Sequence, residues 1–189
     1  MSSNSFRLDG RLALVTGSST GIGKALAILA AAKGMKLVLA DIDAAKLDAT
    51  VAEFNAQGVE AVGLRTDVSK ADQVDHLADL AFERFGNVHL LVNNAGVACA
   101  KPVWETTPGD WEWVVGVNLY GVTNGLRSFI PRMLAKGEEV QDIIRSDKEV
   151  AALQGNRRSA SRRVNRTGKY TGSKEETRDK LNRKLHSDR

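Results

Sequence analysis

The segment that most restricts what this chain can become is Thr16-Gly17-Ser18-Ser19-Thr20-Gly21-Ile22-Gly23. It follows a short apolar run, Leu12-Ala13-Leu14-Val15-Thr16, which reads as a buried strand. It opens an Ala/Leu-rich run from Ile22 to Lys33, which reads as a helix stopped by Gly34. Between a strand and a helix the three glycines have separate tasks. Gly17 permits the sharp turn, Gly21 leaves room for a pyrophosphate, and Gly23 lets the helix lie close to the strand. The start of the helix then offers unpaired N–H groups and the positive end of its dipole to phosphate. The bland reading of the same residues is a glycine-rich turn with no ligand. The strand before it and the helix after it favour the dinucleotide reading.

The pattern continues downstream. Lys36 to Ala40 is strand-like, Asp43 is placed to cap a helix running to about Gln57, and Gly58 stands just beyond it. Ala61 to Arg65 reads as a third strand, weakened by Gly63. Ala71 to Phe85 reads as a helix ending at Gly86, and Val88 to Val92 as a fourth strand. Asp110 to Met133 reads as a long helix, with bends expected near Gly116, Gly121 or Gly125. Strands alternating with helices through short loops imply parallel strands and right-handed crossovers. The fold class expected is α/β, a Rossmann-like doubly wound parallel sheet, incomplete at its C-terminal side.

Charge divides the chain at about residue 138. Residues 1–138 carry 13 Lys and Arg against 15 Asp and Glu, whereas residues 139–189 carry 14 against 8. The expected organisation is a dinucleotide-binding domain over 1–138 and a basic, divergent, partly disordered segment over 139–189. Within the latter only Val140 to Ile144 is strand-like, and Glu175 to His186 is compatible with a solvated helix. The arginines at 157, 158, 162, 163 and 166 allow a nucleic-acid reading. Tyr170 is the sole aromatic there, however, and most charge runs are simply solvated.

Other chemistries find little support. The single cysteine, Cys99, sits among small residues and reads as a packing residue. His76, His89 and His186 lack metal-ligand spacing, so no metal is expected. No apolar run suits a membrane span, and Met1 to Asp9 lacks the apolar stretch of a signal peptide, so a cytoplasmic location is expected. Asp41, at the end of the second strand, suits the two ribose hydroxyls of an adenosine and would repel a 2′-phosphate. With no Arg next to it, NAD is expected and NADP is less favoured. The bland reading is that Asp41 caps the next helix, a task for which Asp43 is better placed.

Four motifs in order resemble the short-chain dehydrogenase/reductase family over residues 8 to about 137. Thr16 to Gly23 matches its TGxxxGxG pattern, with Ser19, Thr20 and Ile22 inside it. Asp67-Val68 resembles its adenine-contacting pair, and Asn93-Asn94-Ala95-Gly96 its NNAG motif. Asn118 resembles the family's catalytic-helix asparagine. The resemblance implies that Asn94, Ala95 and Gly96 line the cofactor ribose and that Asn118 organises a water in a proton relay. It also implies an alcohol or ketone substrate, and pairing of subunits through helix contacts over residues 110–135.

By the same resemblance a Ser on the next strand and a Tyr-x-x-x-Lys helix complete the catalytic set. Tyr170 and Lys174 have that spacing and would share a helix face. Tyr170 would exchange the proton with the substrate oxygen, Lys174 would lower the Tyr pKa and bind the ribose, and Ser146 would hold the carbonyl. The interval from Asn118 to Tyr170 exceeds the family habit, the flanking residues are charged, and 15 residues follow Lys174. The alternative reading is a catalytically inactive, truncated nucleotide-binding remnant or isoform. Trp104, Trp111 and Trp113 lie near the expected site mouth and read as packing or subunit-contact residues.

Overall fold

The computed structural model of the chain describes residues 8–137 and 141–144. Its elements run β1 (Leu12–Thr16), α1 (Gly21–Ala32), β2 (Lys36–Asp41), α2 (Ala44–Ala56), β3 (Ala61–Arg65), α3 (Ala71–Phe85) and β4 (Leu90–Asn93). After a short 3-10 turn at Val103–Glu105 come α4 (Pro108–Val115), a π-helical turn (Gly116–Tyr120), α5 (Gly121–Ala135) and β5 (Gln141–Ile144). The strands form one sheet in the order β3-β2-β1-β4-β5. All four strand pairs are parallel. The chain winds outward from β1 to β3, then crosses back to lay β4 on the other side of β1. That reversal places a topological switch point between β1 and β4.

Every residue of β1 is buried, as its unbroken apolar run requires when both sheet faces are covered. The period of two sorts its side chains between two cores. Leu12 and Leu14 join Val38, Leu77, Ala81, Leu91, Phe129 and Met133 under α3 and α5. Ala13 and Val15 join Ala27, Leu37, Leu39, Leu47 and Phe54 under α1 and α2. Gly63 earns its place in β3, because a Cβ there would crowd Val51 and Leu47 of α2. The residue that weakened the strand in sequence is what lets the helix close over it.

Several boundaries differ from expectation. The fourth strand starts at Leu90 and includes Asn93, since His89 is used otherwise: its buried Nδ1 accepts the Leu12 N–H at 3.2 Å. The strand expected at Val140–Ile144 is present as Gln141–Ile144, beside β4. The long helix expected over Asp110–Met133 is three segments, broken by the π turn at residues 116–120. Gly121 and Gly125 serve close approach. Added Cβ atoms would collide with Val68 and with the Asn93 carboxamide.

Candidate functional site

At the carboxyl ends of β1, β2, β3 and β4 lies a cleft of about 500 Å³. It is lined by Gly17, Thr20, Gly21, Ile22 and Gly23 on one side, and by Asp41, Ile42, Thr66, Asp67 and Val68 at one end. Asn94, Ala95, Gly96 and Val97 line the other half, and Trp113 and Val117 reach the cleft from the helical segment that follows.

The three glycines of the loop stand in different surroundings. Gly17 has φ +64°, and a Cβ on it would come within 2.9 Å of the Ala95 Cα. A Cβ on Gly23 would fall on the Gly17 carbonyl and within 2.6 Å of Asn94 Nδ2. Gly21, at φ +55°, has open space where its side chain would be. Thr20 precedes α1 without a side-chain cap bond, so the first N–H groups of that helix remain available to an anion.

A clasp joins this loop to the segment after β4. Thr16 Oγ1 accepts the N–H groups of Asn94 (3.0 Å) and Ala95 (3.1 Å). The Asn94 carboxamide returns the contact, its Nδ2 donating to the Thr16 carbonyl at 2.9 Å and the Gly17 carbonyl at 3.2 Å. This fixes the two lips of the cleft at the switch point. Asn94 Oδ1 is left buried without a partner, and so is Ser19 Oγ. Ser19 itself does not line the cleft. It is turned inward and donates its N–H to Asp41 Oδ2 at 2.9 Å.

Asp41 also accepts the Asp43 N–H on Oδ1 at 3.1 Å, so two backbone donors aim its carboxylate at the rim. Capping of α2 falls to Asp43, whose side chain accepts the Lys46 N–H at 3.1 Å. Bonded to Lys46 by side chain and backbone, Asp43 sits below the ordinary carboxylate pKa. Asp67 shapes the β3–α3 loop, accepting the N–H and hydroxyl of Ser69. Val68 is buried in the core, with its carbonyl accepting Asn124 Nδ2 at 3.0 Å.

Asn118 stands in the π turn, a distortion that recurs at functional sites. Its Oδ1 accepts the Val97 N–H at 2.8 Å and its Nδ2 donates to the Val97 carbonyl at 2.9 Å. The side chain thereby pins the loop that follows Gly96. Further along, Thr107 and Asp110 form a capping box at the start of α4, and Lys101 pairs with Asp110 at 2.9 Å. The Thr107 backbone N–H and Lys101 hold the Asp110 carboxyl well below the usual carboxylate range. The three tryptophans are not packed into the core: Trp104 is 82% exposed, Trp111 53% and Trp113 50%. Trp104 lies in the 3-10 turn and Trp111 and Trp113 in α4, neither of which buries any residue, and Trp113 alone of the three lines the cleft. Cys99 is half-buried rather than enclosed.

Sequence reasoning missed Ile42, Thr66, Val97 and Val117 as cleft residues, and Thr16 as the centre of the clasp; Trp113, expected near the site mouth as a packing or subunit-contact residue, lines the cleft. Trp113 and Val117 carried a readable signal, four residues apart. Thr16 carried none, because its acceptor role depends on a partner segment 78 residues away. Ser146, Tyr170 and Lys174 lie outside the described residues.

The residues present fit a dinucleotide. Open space above Gly21, an uncapped helix start and an unpartnered Asn94 Oδ1 are what a bound diphosphate and ribose would satisfy. Among the described residues no helix is long and apolar enough to cross a membrane, and no cluster of metal-ligating residues occurs.

Comparisons with known proteins agree with this geometry. The family model of short chain dehydrogenases matches residues 11–155. The CLA biosynthesis dehydrogenase/reductase of Lactiplantibacillus plantarum is 36% identical over 124 residues, covering 66% of this chain and 43% of that protein. Among solved structures, a short-chain dehydrogenase/reductase from Burkholderia phymatum in complex with NAD is 50% identical, with TM-score 0.71, over 72% of this chain and 49% of that one. An alcohol dehydrogenase from the archaeon Thermococcus sibiricus, complexed with 5-hydroxy-NADP, is 34% identical with TM-score 0.65, over 68% of this chain and 55% of that one. The chain spans about half the length of the curated relatives it matches. With ordered motifs, sheet order and cleft in agreement, the chain belongs to the short-chain dehydrogenase family.

Proposed function

We propose that this chain binds NAD and takes part in hydride transfer between the nicotinamide and an alcohol or ketone. The observation that carries the reading is the cleft at the switch point, its two lips joined by the Thr16–Asn94 clasp, with open space at Gly21. Gly17, Gly21 and Gly23 with the start of α1 hold the diphosphate, and Asp41 accepts the adenosine ribose hydroxyls. Asp67 and Val68 flank the adenine, while Asn94, Ala95 and Gly96 flank the second ribose. A nicotinamide held there would supply or take the hydride. Tyr170 passes the matching proton to or from the substrate oxygen, Lys174 lowers the Tyr pKa, and Ser146 holds that oxygen. Asn118 fixes the Val97 loop through both ends of its carboxamide.

NAD is preferred over NADP because the Asp41 carboxylate, aimed by the Ser19 and Asp43 N–H groups, would meet a 2′-phosphate with like charge. Calorimetry with both dinucleotides tests this. Wild type is expected to favour NAD, and Asp41→Ser to shrink that preference at least about ten-fold, a change of ~1.4 kcal/mol. An Asp41→Ser protein with unaltered preference would contradict the assignment. Turnover of a panel of secondary alcohols by wild type and by Tyr170→Phe tests the catalytic set. A loss on the order of 10²-fold or more is expected for the variant. Equal rates in both remove Tyr170 from the mechanism, and nucleotide binding without turnover in wild type favours the inactive remnant.

A further inference from the structure

We propose that Trp113 forms an aromatic wall of the adenosine half of the cleft and contacts the adenine of a bound dinucleotide. The inference rests on the nucleotide reading above and adds a residue to it.

The sheet order decides which half of the cleft is which. The phosphate cradle stands on β1, so the half over β2 and β3 receives one nucleoside, and the half over β4 receives the other. Asp41, Ile42, Asp67 and Val68 mark the first half. The helical segment carrying Trp113 runs along that half. A Cβ on Gly116 would lie 3.5 Å from the Ser69 Cβ, one on Gly121 would press on Val68, and Asn124 Nδ2 donates to the Val68 carbonyl. Trp113 lies one turn before Gly116, on the side shared with Val117, and both line the cleft.

The side chain suits the task. An indole 50% exposed leaves a broad apolar face in water. Ile42, 57% exposed, offers a second apolar surface within the same cleft. Both apolar surfaces are open to a purine, whose π face stacks on an aromatic ring whatever the base. The other two tryptophans are accounted for elsewhere. Trp111 donates its indole N–H to Thr106 Oγ1 at 3.0 Å, and neither Trp111 nor Trp104 lines the cleft.

The test uses the full chain, with ADP-ribose and nicotinamide mononucleotide as separate probes of the two halves. Tryptophan fluorescence is expected to fall on adding ADP-ribose, and Trp113→Phe to abolish that response while calorimetry shows a retained Kd. Trp113→Ala is expected to weaken ADP-ribose about ten-fold, as loss of a base–aromatic stack does. Nicotinamide mononucleotide is expected to give no Trp113-dependent signal. An undiminished response in Trp113→Phe, or an unchanged Kd in Trp113→Ala, overturns the assignment. So does a Trp113-dependent response to nicotinamide mononucleotide alone, which places the indole at the opposite end. If wild type takes up neither ADP-ribose nor NAD, the nucleotide reading itself falls. Binding that ignores Trp113 sinks the present inference alone.

Discussion

At the scale of single residues, the glycines of the first loop separate folding from binding. A Cβ at Gly23 would overlap the Gly17 carbonyl and the Asn94 carboxamide, so α1 must move or the clasp must break. Gly23→Ala is expected to cost about 1–3 kcal/mol of stability, as overpacking of a close contact does. A Cβ at Gly21 meets nothing, and the only penalty is a left-handed backbone at φ +55°. Gly21→Ala is therefore expected to cost about 1 kcal/mol. On the proposed reading it should nevertheless lose dinucleotide affinity, because the methyl would occupy the open space assigned there to the diphosphate. Urea unfolding and calorimetry on both variants check the contrast; equal stability loss with full binding in Gly21→Ala would contradict it. The close packing at Gly17 and Gly23 was legible in the sequence because the strand–turn–helix setting assigns each glycine its geometry. The clasp was not. Asn94 was found by its motif, but that its carboxamide bridges to Thr16 and Gly17 is a product of tertiary pairing between β1 and β4.

At the scale of elements, the sequence located helices by their apolar period and strands by their unbroken runs. It failed where an element's form depends on what it touches. The π turn at Gly116–Tyr120 is one such case, since a widened turn leaves no mark in periodicity. The α3–α5 pair is another. Arg127 and Ser128 of α5 both bond to Asp75 of α3, an arrangement invisible until the helices meet. The Ser128 hydroxyl first, and Arg127 second, hold the Asp75 carboxyl below its ordinary value of 3.8. Its folded pKa is depressed, so its stabilisation is complete above the unfolded value and is lost as pH falls through the folded one. Thermal unfolding of wild type should thus decline more steeply than that of Asp75→Asn as the pH drops below 3.8. Parallel curves for the two proteins would show that the contact contributes nothing through charge. The pair is exposed to water, so the difference should shrink with added salt.

At the scale of the whole molecule, alternating strands and helices implied a doubly wound parallel sheet, whereas the order of its strands, from which the placement of the cleft follows, came from the structure. That Trp113 lines the cleft while Trp104 and Trp111 do not required coordinates. A ligand that binds only the folded chain raises its stability by mass action. NAD at a hundred times its Kd is expected to add about 2.7 kcal/mol, read as an upward shift of the calorimetric unfolding temperature. The shift should grow with each further increase in NAD and be absent with free phosphate at the same concentration. A concentration-independent midpoint would mean that the cleft takes no dinucleotide.

The bridge between Thr16 and Asn94 also bears on assembly. Its two ends are separated by most of the nucleotide-binding half of the chain, so it can close only after the central strands have found each other. A chain that has built α1 and β2 but not yet received β4 offers a glycine turn with one lip missing. Nucleotide added during refolding should accordingly leave the early phases untouched and act only on molecules whose central pair has zipped, slowing their escape back to the unfolded pool.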